Sequence, residues 1–358
     1  MGRIVYLLGA GASFGERGPG GVKSYDLVKR QGSQNLEFLG KTCPDIVSGL
    51  PVISELPQRI DYVVSQVWEV LNSIRDGDMS RLAFEHLAEN LEWMQQTSSK
   101  HATIDTFAKK LWVTHKEDDY YRLKHSMSVY FMLEQMFGKP DPRYDAFFAA
   151  ILGNSIDDLP NDVSIISWNY DCQIELAFAD YLGQRDLNAI HRHLNISAKN
   201  LMDRTDVDRK FNILKLNGTA LLYDTDNRSL LDPFYRRGYK TELGYMATLP
   251  YGKSNIRNLL SFAWEGLDDA FKSRMWHCMA DAEVLVVIGY SFPFFNRMVD
   301  KRIFMCMPEL RKVYIQDLNP DNIQESVKNL LGDSRREPHR VQIEKRDNLN
   351  QFFLPPEL

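Results

Sequence analysis

The chain has 358 residues, a length that allows two or three domains or one large domain with an insertion. Its 43 Lys and Arg residues stand against 48 Asp and Glu residues, and the net charge of −5 argues against a dedicated nucleic-acid-binding protein. A hydrophobic content of 44% is ordinary for a globular protein. The sequence lacks the run of about 18 apolar residues that a transmembrane helix requires, and its start, MGRIVYLLGAGAS, lacks the features of a signal peptide.

Four cysteines, Cys43, Cys172, Cys278 and Cys306, lie far apart in the sequence. Because no CxxC pair is present, a zinc site built from neighbouring cysteines is disfavoured, and the low density argues against a disulfide framework. We therefore expect a soluble protein of the cytoplasm, which is a reducing compartment.

Six short runs rich in Val and Ile predict strands that are buried on both faces. Helical stretches at 171–182 and 321–331 separate some of them. This alternation predicts a Rossmann-like α/β fold with a mostly parallel sheet and helices on both faces. The predicted strands are 3–8, 163–167, 211–216, 284–289, 312–316 and 340–344.

Between the first two predicted strands, apolar residues recur at helical spacing. The pattern predicts an all-helical insertion domain, 56–152, within a sheet-forming domain made of 1–55 and 153–358. The many Gly and Pro residues of 14–55 predict a loop-rich segment, and the polar, irregular composition of 222–258 predicts a loop or a small subdomain over the sheet edge. The periodic residues are Ile60, Val63, Val64, Val67 and Leu71, then Leu82, Leu87, Leu91 and Met94, then Val129, Leu133, Met136 and Phe137.

A glycine turn, Gly9-Ala10-Gly11-Ala12-Ser13, follows the first predicted strand directly. Such a turn lets the backbone approach a phosphate and directs N–H groups at the anion. The third glycine of the G-x-G-x-x-G pattern is missing, and position 14 is Phe. Taken alone, the motif is explained equally well by a plain turn between a strand and a helix.

Four more polar clusters follow predicted strands: WNYD (168–171), KLNGT (215–219), GYSF (289–292) and DLNP (317–320). Each alone is compatible with ordinary turn or helix-cap chemistry. All five clusters, however, fall at the carboxyl ends of predicted parallel strands, which is where open α/β sheets bind ligands. Their shared position favours a nucleotide site.

These segments resemble the sirtuin-like domains of bacterial defence effectors that hydrolyse NAD. The matches occur in the family's order and span nearly the whole chain, with 56–152 in the place of the family's helical insertion. The resemblance implies an NAD-binding domain (1–55 and 153–358) that cleaves NAD, its substrate, to nicotinamide and ADP-ribose in anti-phage defence. The matching segments are GAGAS (9–13), SWNYD (167–171), LKLNGT (214–219), ADAEVLVVIGYSF (280–292) with Asp300, and VYIQDLNP (313–320).

The resemblance also implies a role for each matching position. Catalysis is assigned to Asn169 and Asp171, which address the nicotinamide ribose, and to Asn217. The residues implied to bind NAD are Gly9, Ala10, Gly11 and Ser13 at the pyrophosphate, Gly289 and Ser291 along the channel, and Asp317 and Asn319 at the adenosine half, together with Ala12, Gly218 and Tyr290.

The residue types suit this chemistry. Cleavage of the nicotinamide–ribose bond leaves positive charge on the sugar, so the protein must orient the ribose, stabilise that charge and admit one water. The Asn169 amide can hold a water or a hydroxyl, and Asp171 offers a carboxylate. No metal is required.

Two positions depart from the family. The four-cysteine zinc module of sirtuin deacylases is missing, which disfavours protein deacylation. Asn217 stands where the family has the histidine of L-H-G, and asparagine cannot accept a proton as a histidine base does. Three explanations stay open: a positioned water suffices, His191 or His193 is the base, or the domain binds NAD and hydrolyses it poorly.

His191 and His193 have one-residue spacing, which on a strand places both rings on one face. A supporting or surface role is favoured over a metal site, because no third ligand stands out. We predict core packing for Trp264 and Trp276, which fall on helical spans. For Arg236-Arg237 and for 109–121 we favour solvated surfaces over a phosphate contact and a partner surface respectively.

An enzyme that destroys NAD must be silent until needed. We therefore expect activity to depend on homo-oligomerisation or on a partner encoded beside it, with the helical insertion as the assembly surface. Neither nucleic acid nor a membrane is an expected partner.

Overall fold

The computed structural model describes residues 2–13, 79–98, 100–101, 103–137, 140–184, 186–200, 210–224, 256–334 and 337–358. The predictions made for 14–55, for 56–78 and for Arg236-Arg237 lie outside these residues. Within them, no helix combines the length and the apolar character needed to cross a membrane.

Seven parallel strands form one sheet in the order β3-β4-β2-β1-β7-β8-β9, and β5 and β6 form a separate antiparallel pair. The strands are β1 (Arg3–Leu8), β2 (Val163–Ser167), β3 (Ile196–Ala198), β4 (Asn212–Lys215), β5 (Gly218–Asp224), β6 (Ile256–Leu260), β7 (Ala282–Ile288), β8 (Lys312–Gln316) and β9 (Gln342–Arg346). All six predicted strands are present, with ends that differ by at most two residues.

Helices cover both faces of the sheet. Along β1, Ile4 and Tyr6 belong to the hydrophobic core on one face, whereas Val5 and Leu7 belong to the core on the other. This explains the continuous apolar run, and the predicted Rossmann-like α/β fold is confirmed. The helices are α1 (Met79–Ser98), α2 (Ile104–Val113), α3 (Glu117–Phe137), α4 (Pro142–Ile151), α5 (Gln173–Leu182), α6 (Leu187–His193), α7 (Asp269–Met279), α8 (Arg297–Met305) and α9 (Pro320–Ser334).

The described residues between β1 and β2 are mainly helical, in α1 to α4. Their buried side chains, among them Leu91, Phe107 and Phe148, share one core with the Tyr6 face of the sheet. The division into a domain 56–152 and a domain made of 1–55 and 153–358 stays a prediction.

The structure corrects three expectations. The ends of the predicted loop 222–258 lie in β5 and β6, which pair Leu222 with Asn258. His191 lies on helix α6 and not on a strand, so the spacing argument for His191 and His193 fails: two residues on a helix turn the side chain by about 200°. Trp276 is not a core residue, because its ring lies on the outer side of α7 and is 46% exposed.

Candidate active site

The five polar clusters follow five adjacent strands, β4, β2, β1, β7 and β8. The pairing register brings their last residues level: Leu8 pairs with both Ser167 and Ile288, Ser167 pairs with Lys215, and Ile288 pairs with Gln316. The polar residues that follow therefore emerge along one edge of the sheet, as expected for carboxyl ends of parallel strands.

The glycine turns after β1 and β7 pack against each other, backbone to backbone. The Gly11 N–H donates to the Gly289 carbonyl at 2.9 Å, and the Gly9 N–H donates to the Ile288 carbonyl at 3.0 Å. A Cβ atom on Gly289 would stand 2.4 Å from the backbone of Gly11, and Gly289 has φ +58°. The close approach of the two backbones thus explains why positions 11 and 289 are both glycine.

This packing also limits how the first turn can meet a phosphate. The N–H groups of Gly9 and Gly11 bond to the neighbouring segment, and that of Ala12 donates to the Gly9 carbonyl at 2.9 Å. The anion-binding role expected of this turn stays a prediction, and these three donors are already engaged.

We expect Gly289→Ala to destabilise the fold far more than Gly183→Ala does. Gly183 also has a positive φ, +67°, but a Cβ there meets nothing within 4 Å. The loss of stability in Gly183→Ala therefore measures only the cost of placing alanine in the left-handed conformation, about 1–2 kcal/mol. Gly289→Ala adds a backbone clash worth about 1–3 kcal/mol more. Urea denaturation of both variants measures the difference, and equal losses would contradict the interlocked turns.

Ser13 and Asn169 are joined directly at the centre of the edge. The Asn169 side chain donates from Nδ2 to Ser13 Oγ at 2.8 Å, and Ser13 Oγ lies 2.9 Å from the hydroxyl of Tyr144 on α4. Both Ser13 and Asn169 are buried. Because the amide nitrogen of Asn169 is committed to Ser13, its carbonyl oxygen faces away from Ser13.

Asp171 is a buried carboxylate at the start of α5. Its Oδ1 accepts the Gln173 N–H at 3.0 Å, as in a helix cap. Burial raises the pKa of Asp171 to about 6, against the opposing effects of Lys215, the Gln173 N–H and the Ser13 hydroxyl. Asp171 is thus mostly ionised at neutral pH and becomes protonated in mild acid.

A buried ion pair lies behind Asp171. Lys215, the last residue of β4, donates to the Asp171 backbone carbonyl and lies 2.7 Å from Glu175 on α5. Burial alone would raise the pKa of Glu175, but Lys215 and His191 lower it to about 2. Sequence reasoning missed Glu175, which lies in the first turn of α5, four residues after Asp171.

Asn217 is held beside Asn169. Its Nδ2 donates to the Trp168 carbonyl at 3.0 Å, and its backbone carbonyl accepts the Ser261 N–H at 2.8 Å. Among the described residues, the Oδ1 atoms of Asn169 and Asn217 and the Oδ2 atom of Asp171 are buried without a hydrogen-bond partner. Buried polar atoms are rarely left unpaired, so three acceptors on one edge indicate a place for hydrogen-bond donors.

Tyr290 is buried and packs against neighbouring side chains, and its contact with NAD stays a prediction. Its ring stacks on Trp168 at 5.9 Å, its hydroxyl donates to Asp300 at 2.9 Å, and Asn296 Nδ2 donates to that hydroxyl at 3.0 Å. Burial raises the pKa of Asp300 well above its usual value. Ser291, the next residue, is exposed.

Asp317 and Asn319 lie at the β8 end of the edge. The Asn319 N–H donates to Asp317 Oδ1 at 2.8 Å, and Asn319 is exposed. This is the geometry of a turn that also begins α9, and their contact with an adenosine stays a prediction.

The contacts of the two histidines lead away from Asn217. His191 Nε2 lies 3.6 Å from Glu175 Oε1, and His193 Nε2 lies 2.8 Å from the Ile156 carbonyl. His191 is therefore linked to the site through Glu175 and Lys215. Among the described residues, no group of three or more His, Cys, Asp or Glu side chains is placed to hold a metal ion.

Two further sequence predictions concern aromatic residues. Trp264 lies in a short 3-10 turn, half-buried, stacked on Phe262 at 4.6 Å. In the segment 109–121, Trp112 and Tyr121 are about half exposed near the start of α3. They form an aromatic surface on the helical side of the protein.

Comparisons of the chain with models of protein families, with characterised proteins and with solved structures found no significant match.

Proposed function

We propose that the protein is an NAD glycohydrolase, and that it acts as a defence effector by depleting NAD. The observation that carries the proposal is the set of three unpartnered, buried acceptor oxygens on Asn169, Asp171 and Asn217. A ribose offers several hydroxyl donors, and an adjacent carboxylate favours positive charge on the sugar.

The proposed chemistry assigns a distinct task to each group. The Asn169 and Asn217 carbonyls accept ribose hydroxyls or the attacking water, which fixes its orientation. The Asp171 carboxylate stabilises the positive charge that develops on the ribose as nicotinamide leaves. Of the described side chains at the edge, Asp171 alone combines an unpartnered buried oxygen with a pKa near neutrality, so it is the group proposed to accept the proton of water.

Incubation of the purified protein with NAD, followed by measurement of released nicotinamide, tests the proposal. We expect Asn169→Ala to lower the rate at least about 100-fold, since it removes an oriented group at the reacting centre. Asn188→Ala, an exposed asparagine on α6, is the matched control and is expected to keep full activity. Equal rates for the two variants would exclude Asn169 as the catalytic residue.

A second candidate function is NAD binding without turnover, in a regulatory subunit. Asn217 favours it, because an amide cannot act as the base that a histidine supplies at this position. Calorimetry would then show tight NAD binding, while no nicotinamide is released in any oligomeric form or with any partner.

We propose that activity is controlled by homo-oligomerisation or by a neighbouring protein. The exposed aromatic residues Trp112 and Tyr121 on the helical side are the surface proposed for this contact. The same chemistry needs neither a nucleic-acid nor a membrane partner.

A further inference from the structure

One helix of the region between β1 and β2 reaches directly into the candidate active site. The first turn of α4 carries Arg143 and Tyr144, and Asp141 caps it, because its Oδ1 accepts a hydrogen bond from the Arg143 N–H at 2.9 Å. Each of the three contacts a segment of the carboxyl edge, and all three are buried. Neither the glycine turn nor the WNYD motif suggests this helix as a neighbour.

Arg143 holds the glycine turn by its carbonyl groups. Its terminal nitrogen donates to the Gly11 carbonyl at 2.8 Å and to the Ala12 carbonyl at 3.2 Å. Asp141 pairs with the same guanidinium at 2.6 Å, so the charge is neutralised and its direction is fixed. The Asp141 N–H in turn donates to Gln173 Oε1 at 2.6 Å, which ties the same turn of α4 to α5.

Tyr144 acts on the neighbouring residue of that turn. Its hydroxyl lies 2.9 Å from Ser13 Oγ, which also accepts the Asn169 amide at 2.8 Å. Either hydroxyl can be the donor in this contact, and in both cases one serine oxygen contacts both Tyr144 and Asn169.

This arrangement decides which way the Asn169 amide faces. The two ends of an amide are nearly the same size, so hydrogen bonding and not shape selects between them. A fixed acceptor at Ser13 selects the nitrogen, and the carbonyl of Asn169 is left as one of the three unpartnered oxygens.

We propose that Tyr144 is a positioning residue: through Ser13 it sets the orientation of Asn169, and α4 thereby controls whether the site is competent. This inference rests on the proposed function for its catalytic consequence only. Tyr144 is not expected to contact the substrate, because its hydroxyl is already hydrogen-bonded to Ser13.

The kinetic test is a double-mutant cycle on nicotinamide release. We expect Tyr144→Phe to lower kcat about tenfold, the scale of one hydrogen bond, with KM for NAD changed less than about twofold. Because Tyr144 acts through Ser13, the double variant with Ser13→Ala should be no slower than Ser13→Ala alone. The matched control is Tyr181→Phe. It removes a hydrogen bond from a tyrosine hydroxyl to the Asp145 backbone carbonyl, which is also on α4, and it should leave kcat unchanged.

A spectroscopic test does not depend on turnover. In protein labelled with ¹⁵N-asparagine, the Asn169 side-chain resonance is identified by its loss in Asn169→Ala. Tyr144→Phe should shift that resonance and speed its hydrogen exchange, whereas Tyr181→Phe should not.

An unchanged Asn169 resonance in Tyr144→Phe, or additive kinetic losses in the cycle, would overturn the inference. If the wild type releases no nicotinamide but Tyr144→Phe still shifts the Asn169 resonance, the proposed function is refuted and the positioning role is supported.

Discussion

Asp171→Asn is expected to abolish NAD cleavage and, at neutral pH, to stabilise the fold. The side chain keeps its shape, and an amide oxygen can still accept the Gln173 N–H. The carboxylate charge at the reacting centre is lost, and with it an expected factor of about 100 or more in rate. The stability gain follows from burial, because ionising Asp171 inside the protein is unfavourable.

The pKa of Asp171 gives the pH window. It rises from 3.8 to about 6 on folding, and each unit corresponds to about 1.4 kcal/mol, so the ionised group costs roughly 1–3 kcal/mol. Below pH 3.8 the carboxyl is protonated in both the folded and the unfolded chain, so the raised pKa does not change the stability. As the pH rises toward 6, ionisation favours the unfolded chain, and the loss of stability is complete above pH 6. Wild-type cleavage should show the opposite trend and fall as the pH drops through about 6.

Denaturation of wild type and Asp171→Asn at pH 7.5 and near pH 4 measures the effect. The variant should be more stable at the higher pH, and the difference should nearly vanish at the lower one. Asp180→Asn, an exposed aspartate on α5, is the control and should change stability little at either pH. A destabilised Asp171→Asn at pH 7.5 would mean that the carboxylate holds the fold together, which argues against a site kept for function.

The parallel topology was sufficient to predict that the five polar clusters meet. Continuous apolar runs such as RIVYLL and VLVVIG identify strands buried on both faces, and parallel strands place their carboxyl ends on one edge. The register makes Leu8, Ser167 and Ile288 level, so Ser13 and Asn169 become neighbours from segments far apart in sequence.

The supporting residues were not predictable in the same way. Tyr144 and Arg143 come from a helix whose packing depends on tertiary contacts, and no local spacing links them to the glycine turn. The short strand β3 carries too few residues to show a pattern, and the spacing argument for His191 and His193 applied only to a strand, whereas both residues lie on α6. Glycine packing at Gly289 likewise depends on a partner segment distant in sequence.

Lys215→Met is expected to be the most destabilising of these substitutions. Lys215 and Glu175 are both almost fully buried, and their 2.7 Å contact is what allows each charge to exist there. Removing the ammonium leaves Glu175 without its lysine partner, with His191 3.6 Å away, and breaking a buried pair in this way costs about 3–5 kcal/mol. The Asp171 carbonyl and Thr219 would also lose the donor that now joins them.

The double variant Lys215→Met/Glu175→Gln separates charge from packing. If the loss comes from an unpaired carboxylate, the second substitution should recover a large part of the stability, measured as the urea midpoint. The exposed pair of Lys272 with Asp269 is the control, and Lys272→Met should change the midpoint little. No recovery in the double variant would show that the lysine acts through its bonds to the Asp171 carbonyl and Thr219.

The same pair has a defined acid limit. The pKa of Glu175 falls from 4.5 in the unfolded chain to about 2 in the fold, so its contribution is complete above pH 4.5 and is lost as the pH falls toward 2. Asp171 gives the reverse trend, because its ionisation lowers the stability of the fold as the pH rises from 3.8 to 6. Two carboxylates four residues apart, Asp171 just before α5 and Glu175 in its first turn, therefore respond to acid in opposite senses. Glu175 stabilises the fold through Lys215, whereas Asp171 is kept ionised at a cost in stability that an oriented charge at a ribose would explain.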